Sequence, residues 1–288
     1  MALTARTPSP DLVDLVGALG GIWHGYTAMC RCPAHADREP SLSIRQGDTG
    51  LLVTCFAGCA REDVLRELRR VRHRGSFPAP PAPSLGRSAA NLGRLWSEGR
   101  GVAGTLAERY LASRHLPATL QDLRYHPRCP HGPKPLTLFK PALLVAVRDD
   151  AELTAIQRIF LDPLDASRQA KVTIGMPGAG AWRGGGSARR LAIAEGFESA
   201  AAFTLLNGVP CWASLGARRL DLLAIPDQVE TLLIAHDADA EGRRAAGRAE
   251  ARYRRHERRI LPAPPPNGLK DWADALRAHN ERGGGSRP

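Results

Sequence analysis

The chain has 288 residues, 43% of them hydrophobic, which is enough for one large domain or two small ones with their own cores. No apolar run reaches the length of about 18 residues that a membrane helix needs, and the N-terminus lacks a secretion signal, so we expect a cytoplasmic protein without a membrane partner. The net charge of +11 and the pI near 10.0 favour a polyanionic partner such as nucleic acid, because clustered arginines and lysines release counterions from phosphates.

Two groups of metal-binding residue types lie near the N-terminus. Cys30, Cys32 and His35 form the first group, and Cys55 and Cys59 form the second. In a cytoplasmic protein such clustering favours a bound metal over disulfides. Four ligands of these types are typical of zinc, and both Cys30 and Cys32 are candidates for the first position.

Two short strands are predicted between these groups. Apolar and polar residues alternate over 41–45, and a second apolar run follows over 51–54. The strands form a hairpin with metal ligands at each end, which is the layout of a zinc ribbon. We predict a zinc-ribbon domain over residues 1–74, closed by a helix that begins near Glu62.

A proline-rich stretch over residues 75–88 separates this domain from the rest of the chain. It has four prolines within six residues, so we predict an extended linker. Residues 89–190 show two helical patterns and then strands that carry Arg148, Arg158 and Lys171. Because Arg158 alternates with apolar neighbours, we expect it to project from a face of a sheet.

Carboxylates follow two short apolar runs in the C-terminal part. Residues 191–194 lead to Glu195 and a glycine, and residues 231–235 lead to Asp237 and Asp239. Apolar runs followed by a glycine-containing turn and a helical pattern indicate buried parallel strands, whose carboxyl ends form the ligand-binding edge of an α/β sheet. Carboxylates gathered there repel one another and suit Mg²⁺ or Mn²⁺.

These two acidic motifs resemble the Toprim domain of bacterial-type primases, topoisomerases and some nucleases. The resemblance implies that Glu195, Asp237 and Asp239 hold the metal and are catalytic. It makes three further acids candidate ligands: Glu198, Glu241 and Asp271. We place the Toprim domain at 191–262, with a long helix from Asp239 to Arg259, and predict a C-terminal helix and a disordered tail within 263–288.

The N-terminal segment resembles the zinc-binding domain of bacterial and phage primases. By position the resemblance implies that the zinc ligands are Cys32, His35, Cys55 and Cys59. The predicted fold is therefore an α/β chain in which a zinc ribbon is joined by a linker to a catalytic region with a Rossmann-like parallel sheet.

Together the two resemblances imply a DNA primase of plasmid, phage or mobile-element type. Such an enzyme makes short RNA primers on a single-stranded DNA template from ribonucleoside triphosphates. The residues expected to hold template and nucleotide are Arg148, Arg158, Lys171 and Lys270. The sequence has no Walker motif, so any replicative helicase is expected to be a separate partner. Two alternatives stay open, a metal-dependent Toprim nuclease and a nucleic-acid-binding accessory protein with an inactive site.

Overall fold

In the part of the chain that the structure describes, the helices pack on three four-stranded sheets. The computed structural model describes residues 6–38, 40–47, 50–72, 75–80, 85–132, 137–150, 152–266 and 268–283. Among these residues, the stretch up to Ser88 packs with Pro130–Phe139 as one unit, and Ala89–Cys129 packs with the chain from Lys140 onward as another. The mixed α/β architecture with a parallel sheet confirms the predicted fold class.

The N-terminal unit is an antiparallel sheet covered by two short helices. Its elements are α1 (Pro10–Ala18), β1 (Ile22–His24), β2 (Thr27–Cys30), β3 (Leu42–Gln46), β4 (Leu51–Cys55) and α2 (Arg61–Leu68). The strand order is β1-β2-β3-β4, and the predicted hairpin corresponds to β3 and β4. Leu42 and Ile44, two residues apart on β3, face the same way and are fully buried in a core that includes Val64 of α2.

Part of the predicted linker contacts this unit. Residues 75–80 form no helix or strand, and the backbone N–H of Phe77 donates to Asp14 of α1 at 3.0 Å. Residues 81–84 of the linker and 284–288 of the predicted tail lie outside the described residues. The domain boundaries given by the sequence therefore stay predictions.

The middle of the chain forms the second sheet. Its elements are α3 (Leu85–Glu98), α4 (Leu106–Ser113), β5 (Leu123–His131), β6 (Leu138–Asp149), β7 (Glu152–Leu161) and β8 (Arg168–Gly175), with strand order β5-β6-β7-β8. The sequence patterns predicted the helices and β6 to β8, but not β5. β5 contains Pro127 and Pro130, and its buried residues do not alternate with exposed ones, so the sequence shows no strand pattern there.

The two faces of this sheet bury different cores. Lys171 on β8 lies opposite Ile159 on β7, so both belong to the face that packs on the parallel sheet. Arg158 precedes Ile159 and therefore belongs to the opposite face, where Ile156 and Phe160 pack beneath α3.

The third sheet is parallel and contains the predicted acidic strands. Its elements are β9 (Arg190–Ala194), α5 (Phe197–Asn207), β10 (Cys211–Ala213), a 3₁₀ turn (Ala217–Arg219), β11 (Thr231–Ala235), α6 (Ala240–Tyr253), β12 (Arg259–Pro262) and α7 (Trp272–Gly283). The order is β10-β9-β11-β12, with every pair parallel. The inner strands β9 and β11 are almost entirely buried, which explains their continuous apolar runs.

Helix α6 is shorter than the sequence pattern predicted. It ends at Tyr253, because Arg254 adopts an extended backbone and Arg255 and Arg258 bridge a tight turn into β12. β12 then pairs with β11 from Arg259 onward, so strand pairing overrides the helical propensity of the charged run. No helix in the described part of the chain is both long and apolar enough to cross a membrane.

Replacing Tyr253 with phenylalanine should destabilise the C-terminal unit by about 1–3 kcal/mol, the cost of orphaning buried polar groups. The buried Tyr253 hydroxyl accepts from Leu223 N–H at 2.8 Å and lies 3.0 Å from the carbonyl of Leu220. Urea unfolding measures the change. Tyr125→Phe is the matched control: among the described residues its hydroxyl makes no hydrogen bond, so a loss within about 0.5 kcal/mol is expected. Equal losses in both variants would contradict the assignment.

Candidate active site and zinc centre

The acidic residues meet at the carboxyl edge of the parallel sheet. β9 and β11 are neighbours, and Ala194 lies opposite Ala235 at their ends. Glu195 follows the first strand directly, and Asp237 follows the second after one residue. The strand register therefore brings these two carboxylates to the same edge, as expected for ligand-binding residues in an open α/β sheet.

The environment of Glu195 and Asp237 disfavours the ionised form of both side chains. Burial and the charges of Asp237 and Asp239 raise the pKa of Glu195 to about 7, well above its ordinary 4.5. Burial and the charges of Asp271 and Asp239 raise the pKa of Asp237 to about 6. Glu195 Oε1 and Asp237 Oδ1 are buried and have no hydrogen-bond partner among the described residues. A buried carboxylate of this kind is stabilised either by taking up a proton or by a nearby positive charge.

Asp239 is fixed by the start of α6. Its side chain caps the helix and accepts from the N–H of Gly242 at 2.7 Å. A Cβ at Gly242 would overlap the carbonyl oxygen of Asp237, so only glycine permits the first turn to pack this closely on the acidic loop. The exposed Glu241 lies in the same turn, and its charge also raises the pKa of Glu195.

The segment after β12 returns to the acidic edge. The N–H of Ala238 donates to the carbonyl of Lys270 at 2.8 Å, which places Lys270 and Asp271 beside the Asp-x-Asp loop. The charge of Lys270 lowers the pKa of Asp237 and that of Asp271 raises it, which reflects their proximity. Asp271 also begins α7 by accepting from the N–H of Asp274 at 2.8 Å.

The acidic residues suit a divalent cation that keeps part of its water shell. Among the described residues, their oxygens are not gathered as tightly as a closed metal site requires, since the only such cluster is made of cysteine and histidine. Mg²⁺ is commonly held by one or two carboxylates, with waters and substrate phosphates completing its shell. The two orphaned oxygens of Glu195 and Asp237 fit that mode of binding.

Glu198 differs from the other acids. It is only 8% exposed and is already paired: Tyr110 donates to it at 2.7 Å and Lys171 at 3.0 Å. The sequence patterns did not predict the contact between Tyr110 and Glu198. They also did not predict that Lys171 binds an acidic side chain of the protein. The contact joins residues 88 positions apart, so local sequence patterns carry no signal for it.

The predicted basic residues do not all lie at the acidic edge. The charges of Lys171 and Lys270 act on Asp237, so both lie near it. Arg158 belongs to the other face of the second sheet, largely buried near Phe160 and Cys129. Arg148 forms an ion pair with Asp122 at 2.8 Å and lies over the ring of Trp96. The structure thus brings the two lysines, and not the two arginines, to the acidic residues.

The zinc centre lies in the N-terminal unit. One ligand atom from each of Cys32, His35, Cys55 and Cys59 lies within 4.8 Å of the others. His35 Nδ1 is 3.2 Å from the sulfur of Cys59 and 3.9 Å from that of Cys55. This donor set and its compactness fit the tetrahedral zinc of a ribbon.

Asp37 supports this cluster, although the sequence patterns did not indicate it. One oxygen lies 3.6 Å from His35 Nε2, and the other accepts from the N–H of Cys32 at 2.7 Å and from Ser41 at 2.6 Å. A carboxylate behind a ligating histidine fixes its ring orientation. Cys30 is instead buried with its sulfur 3.6 Å from the carbonyl of Leu42, outside the cluster.

Two family models match the part of the chain that follows the linker. Residues 86–187 match a domain of unknown function, DUF7146, and residues 190–281 match the Toprim domain. The Toprim match includes Glu195, Asp237 and Asp239 and extends through most of α7. No protein of curated function matches the chain.

Solved structures of DNA primases are similar to this chain, and three of them illustrate the likeness. A primase domain from Pseudomonas aeruginosa has 17% identity and a TM-score of 0.46, covering 66% of this chain and 74% of that chain. The zinc-binding and RNA polymerase domains of the Aquifex aeolicus primase have 14% identity and a TM-score of 0.47, covering 95% and 82%. The primase fragment of the bacteriophage T7 primase-helicase has 13% identity and a TM-score of 0.43, covering 91% of this chain and 97% of that chain. These likenesses are too distant to transfer an activity.

Residues 190–281 match the Toprim domain, as the acidic strand ends predicted. Ahead of this match the chain carries a Cys/His tetrad that fits a zinc ribbon. The roles of the individual residues stay predictions.

Cys32→Ser should lose the bound zinc, whereas Cys30→Ser should retain one zinc per chain. Both cysteines are buried, but only the sulfur of Cys32 belongs to the tetrad, so the pair separates ligation from packing. Zinc content after gel filtration, measured by elemental analysis, provides the test. Zinc lost from Cys30→Ser and kept in Cys32→Ser would reverse the assignment.

Without divalent cations, the Toprim-containing unit should lose stability as pH rises from about 4 to about 7. An acid whose pKa is raised by folding favours the protonated folded state, so the folded state is penalised as Glu195 and Asp237 ionise. Thermal unfolding between pH 4 and 8 measures this. Mg²⁺ should restore stability at pH 8, and Glu195→Gln with Asp237→Asn should flatten both responses. A wild-type profile unaffected by pH would contradict the electrostatic picture.

Proposed function

We propose that this protein is a DNA primase that synthesises short RNA primers on single-stranded DNA. The supporting observation is the group of carboxylates at the carboxyl edge of the Toprim sheet, near Lys171 and Lys270, in which Glu195 and Asp237 each have one buried oxygen without a partner among the described residues. Such an edge has the charges to hold divalent cations together with the phosphates that they bind.

Each group at this edge has a role in the proposal. Glu195, Asp237 and Asp239 hold Mg²⁺ or Mn²⁺, and Glu241 and Asp271 add negative charge around them. Bound cations would neutralise the triphosphate and stabilise the charge that develops as a ribose 3′-hydroxyl attacks the α-phosphorus and pyrophosphate leaves. Lys171 and Lys270 contact the phosphates of the nucleotide. Arg148 and Arg158 have their own contacts within the second sheet, so we assign them to support of the fold.

The rest of the chain supplies the setting for this activity. The zinc ribbon distinguishes the proposed primase from a Toprim nuclease, because the pairing of these two modules is typical of primases. The partners in the proposal are single-stranded DNA, ribonucleoside triphosphates and a separate replicative helicase. We assign the activity to replication of a plasmid, phage or mobile element, in the cytoplasm where template and nucleotides are present.

Asp237→Asn should reduce primer synthesis by roughly 100-fold or more, the scale of losing one preorganised charge in an active site. The assay measures short labelled products from ribonucleotides on single-stranded DNA with Mg²⁺ or Mn²⁺. Asp227→Asn is the matched control: this exposed aspartate precedes β11, at the far end of the strand from Asp237, and should leave synthesis unchanged.

Three other outcomes would contradict the proposal. Cutting of the labelled strand without nucleotides, lost in Asp237→Asn, would indicate a nuclease. Binding of single strands without synthesis, unchanged in Asp237→Asn, would indicate an accessory protein with an inactive site. Equal synthesis by Asp237→Asn and wild type would place the chemistry elsewhere.

A further inference from the structure

A buried polar network connects the second sheet to the Toprim domain. Glu198, in the first turn of α5, accepts hydrogen bonds from Lys171 on β8 at 3.1 and 3.0 Å, one to each oxygen. The hydroxyl of Tyr110 on α4 donates to one of these oxygens at 2.7 Å, and Arg168 lies 3.6 Å from it. Both oxygens of Glu198 are thus occupied by donors from the protein.

Lys171 lies between Glu198 and the acidic edge. It shares the sheet face that packs on the parallel strands, and its charge also acts on Asp237. The Lys171 side chain is 30% exposed although its ammonium is held by a buried carboxylate. Lys171 is therefore bound to Glu198 while it remains partly exposed and close enough to Asp237 for its charge to act there.

We propose that Glu198 is a positioning residue, not a metal ligand: together with Tyr110 it holds the ammonium of Lys171 at the acidic edge, where Lys171 contacts the phosphates of a nucleotide. This inference rests on the proposed function only in so far as a nucleotide triphosphate binds there. It also gives the matched region of unknown function a role, since Tyr110 and Lys171 both belong to residues 86–187.

The contrast with the neighbouring acids supports this role. Glu195 and Asp237 each leave a buried oxygen without a partner among the described residues, and their pKa values are raised. Glu198 is more deeply buried, which by itself raises its pKa, yet Lys171 and Tyr110 hold that pKa below its usual range. A metal ion at Glu198 would have to displace Lys171 and compete with its charge.

Fixing Lys171 in advance favours phosphate binding. A lysine side chain has four rotatable bonds and loses much freedom when it is ordered on a ligand. The two hydrogen bonds to Glu198 order it before the nucleotide arrives, and the third ammonium proton is left to donate outward.

Two binding measurements on the whole protein test the inference. The first is Mn²⁺ affinity without nucleotide, followed by electron paramagnetic resonance; the second is affinity for labelled ATP with Mn²⁺ present. Glu198→Gln should leave Mn²⁺ affinity unchanged and weaken ATP binding about tenfold, the scale of one charged hydrogen bond. Asp237→Asn is the reference for a metal ligand and should weaken Mn²⁺ binding.

A double-mutant cycle separates positioning from general damage. Lys171→Met should weaken ATP binding at least as much as Glu198→Gln, and the double variant should be no weaker than Lys171→Met, because Glu198 acts through Lys171. Additive losses would overturn the inference. So would Mn²⁺ binding by Glu198→Gln that falls as it does in Asp237→Asn, since that would make Glu198 a ligand.

Tyr110→Phe keeps the test valid if Glu198→Gln fails to fold. It removes only the hydroxyl that holds Glu198, and should weaken ATP binding about threefold with unchanged Mn²⁺ affinity and unchanged circular dichroism. ATP affinity equal to wild type would overturn the inference, as would a wild type that binds Mn²⁺ but no ATP. Neither measurement needs primer synthesis, so an absence of synthesis would overturn the proposed function and leave this result standing.

Discussion

Repulsion between carboxylates at two neighbouring strand ends is the constraint on which the functional half of this structure depends. The parallel pairing of β9 and β11 places Glu195 and Asp237 at the same edge, and one carboxylate oxygen of each is buried from water. Such a site is tolerated only where positive charge is close by. Lys171 and Lys270 supply part of that charge, and the remaining deficit is what a divalent cation would fill.

The Cys/His tetrad is important for a different reason, which is the small size of the ribbon core. Short strands and two short helices bury few side chains, so a zinc ion held by the tetrad would add folding free energy by tying both ends of the hairpin together. Asp37 contributes by bonding to the backbone of Cys32 and facing His35. The Cys/His tetrad and the acidic edge therefore differ: the tetrad is compact, whereas the acidic edge is open and has buried oxygens without a partner among the described residues.

The sequence was informative wherever a feature depends on local pattern. Apolar runs that end in acid and glycine predicted β9 and β11. Because the carboxyl ends of parallel strands lie at the same edge of a sheet, the sequence also predicted that Glu195 and Asp237 lie at one edge. Features set by register or by distant contacts could not be obtained this way. Which face Arg158 occupies depends on sheet pairing, and the bond from Tyr110 to Glu198 depends on packing between α4 and α5. The early end of α6 likewise reflects the pairing of β12 with β11.

The bond from Ala238 N–H to the carbonyl of Lys270 implies that the acidic edge is not self-contained within the parallel sheet. A fragment cut after β12 would keep every strand of the sheet, yet it would leave an amide of the Asp-x-Asp loop without its acceptor. The smallest fragment with a complete edge therefore extends through the start of α7, where Asp271 caps the helix.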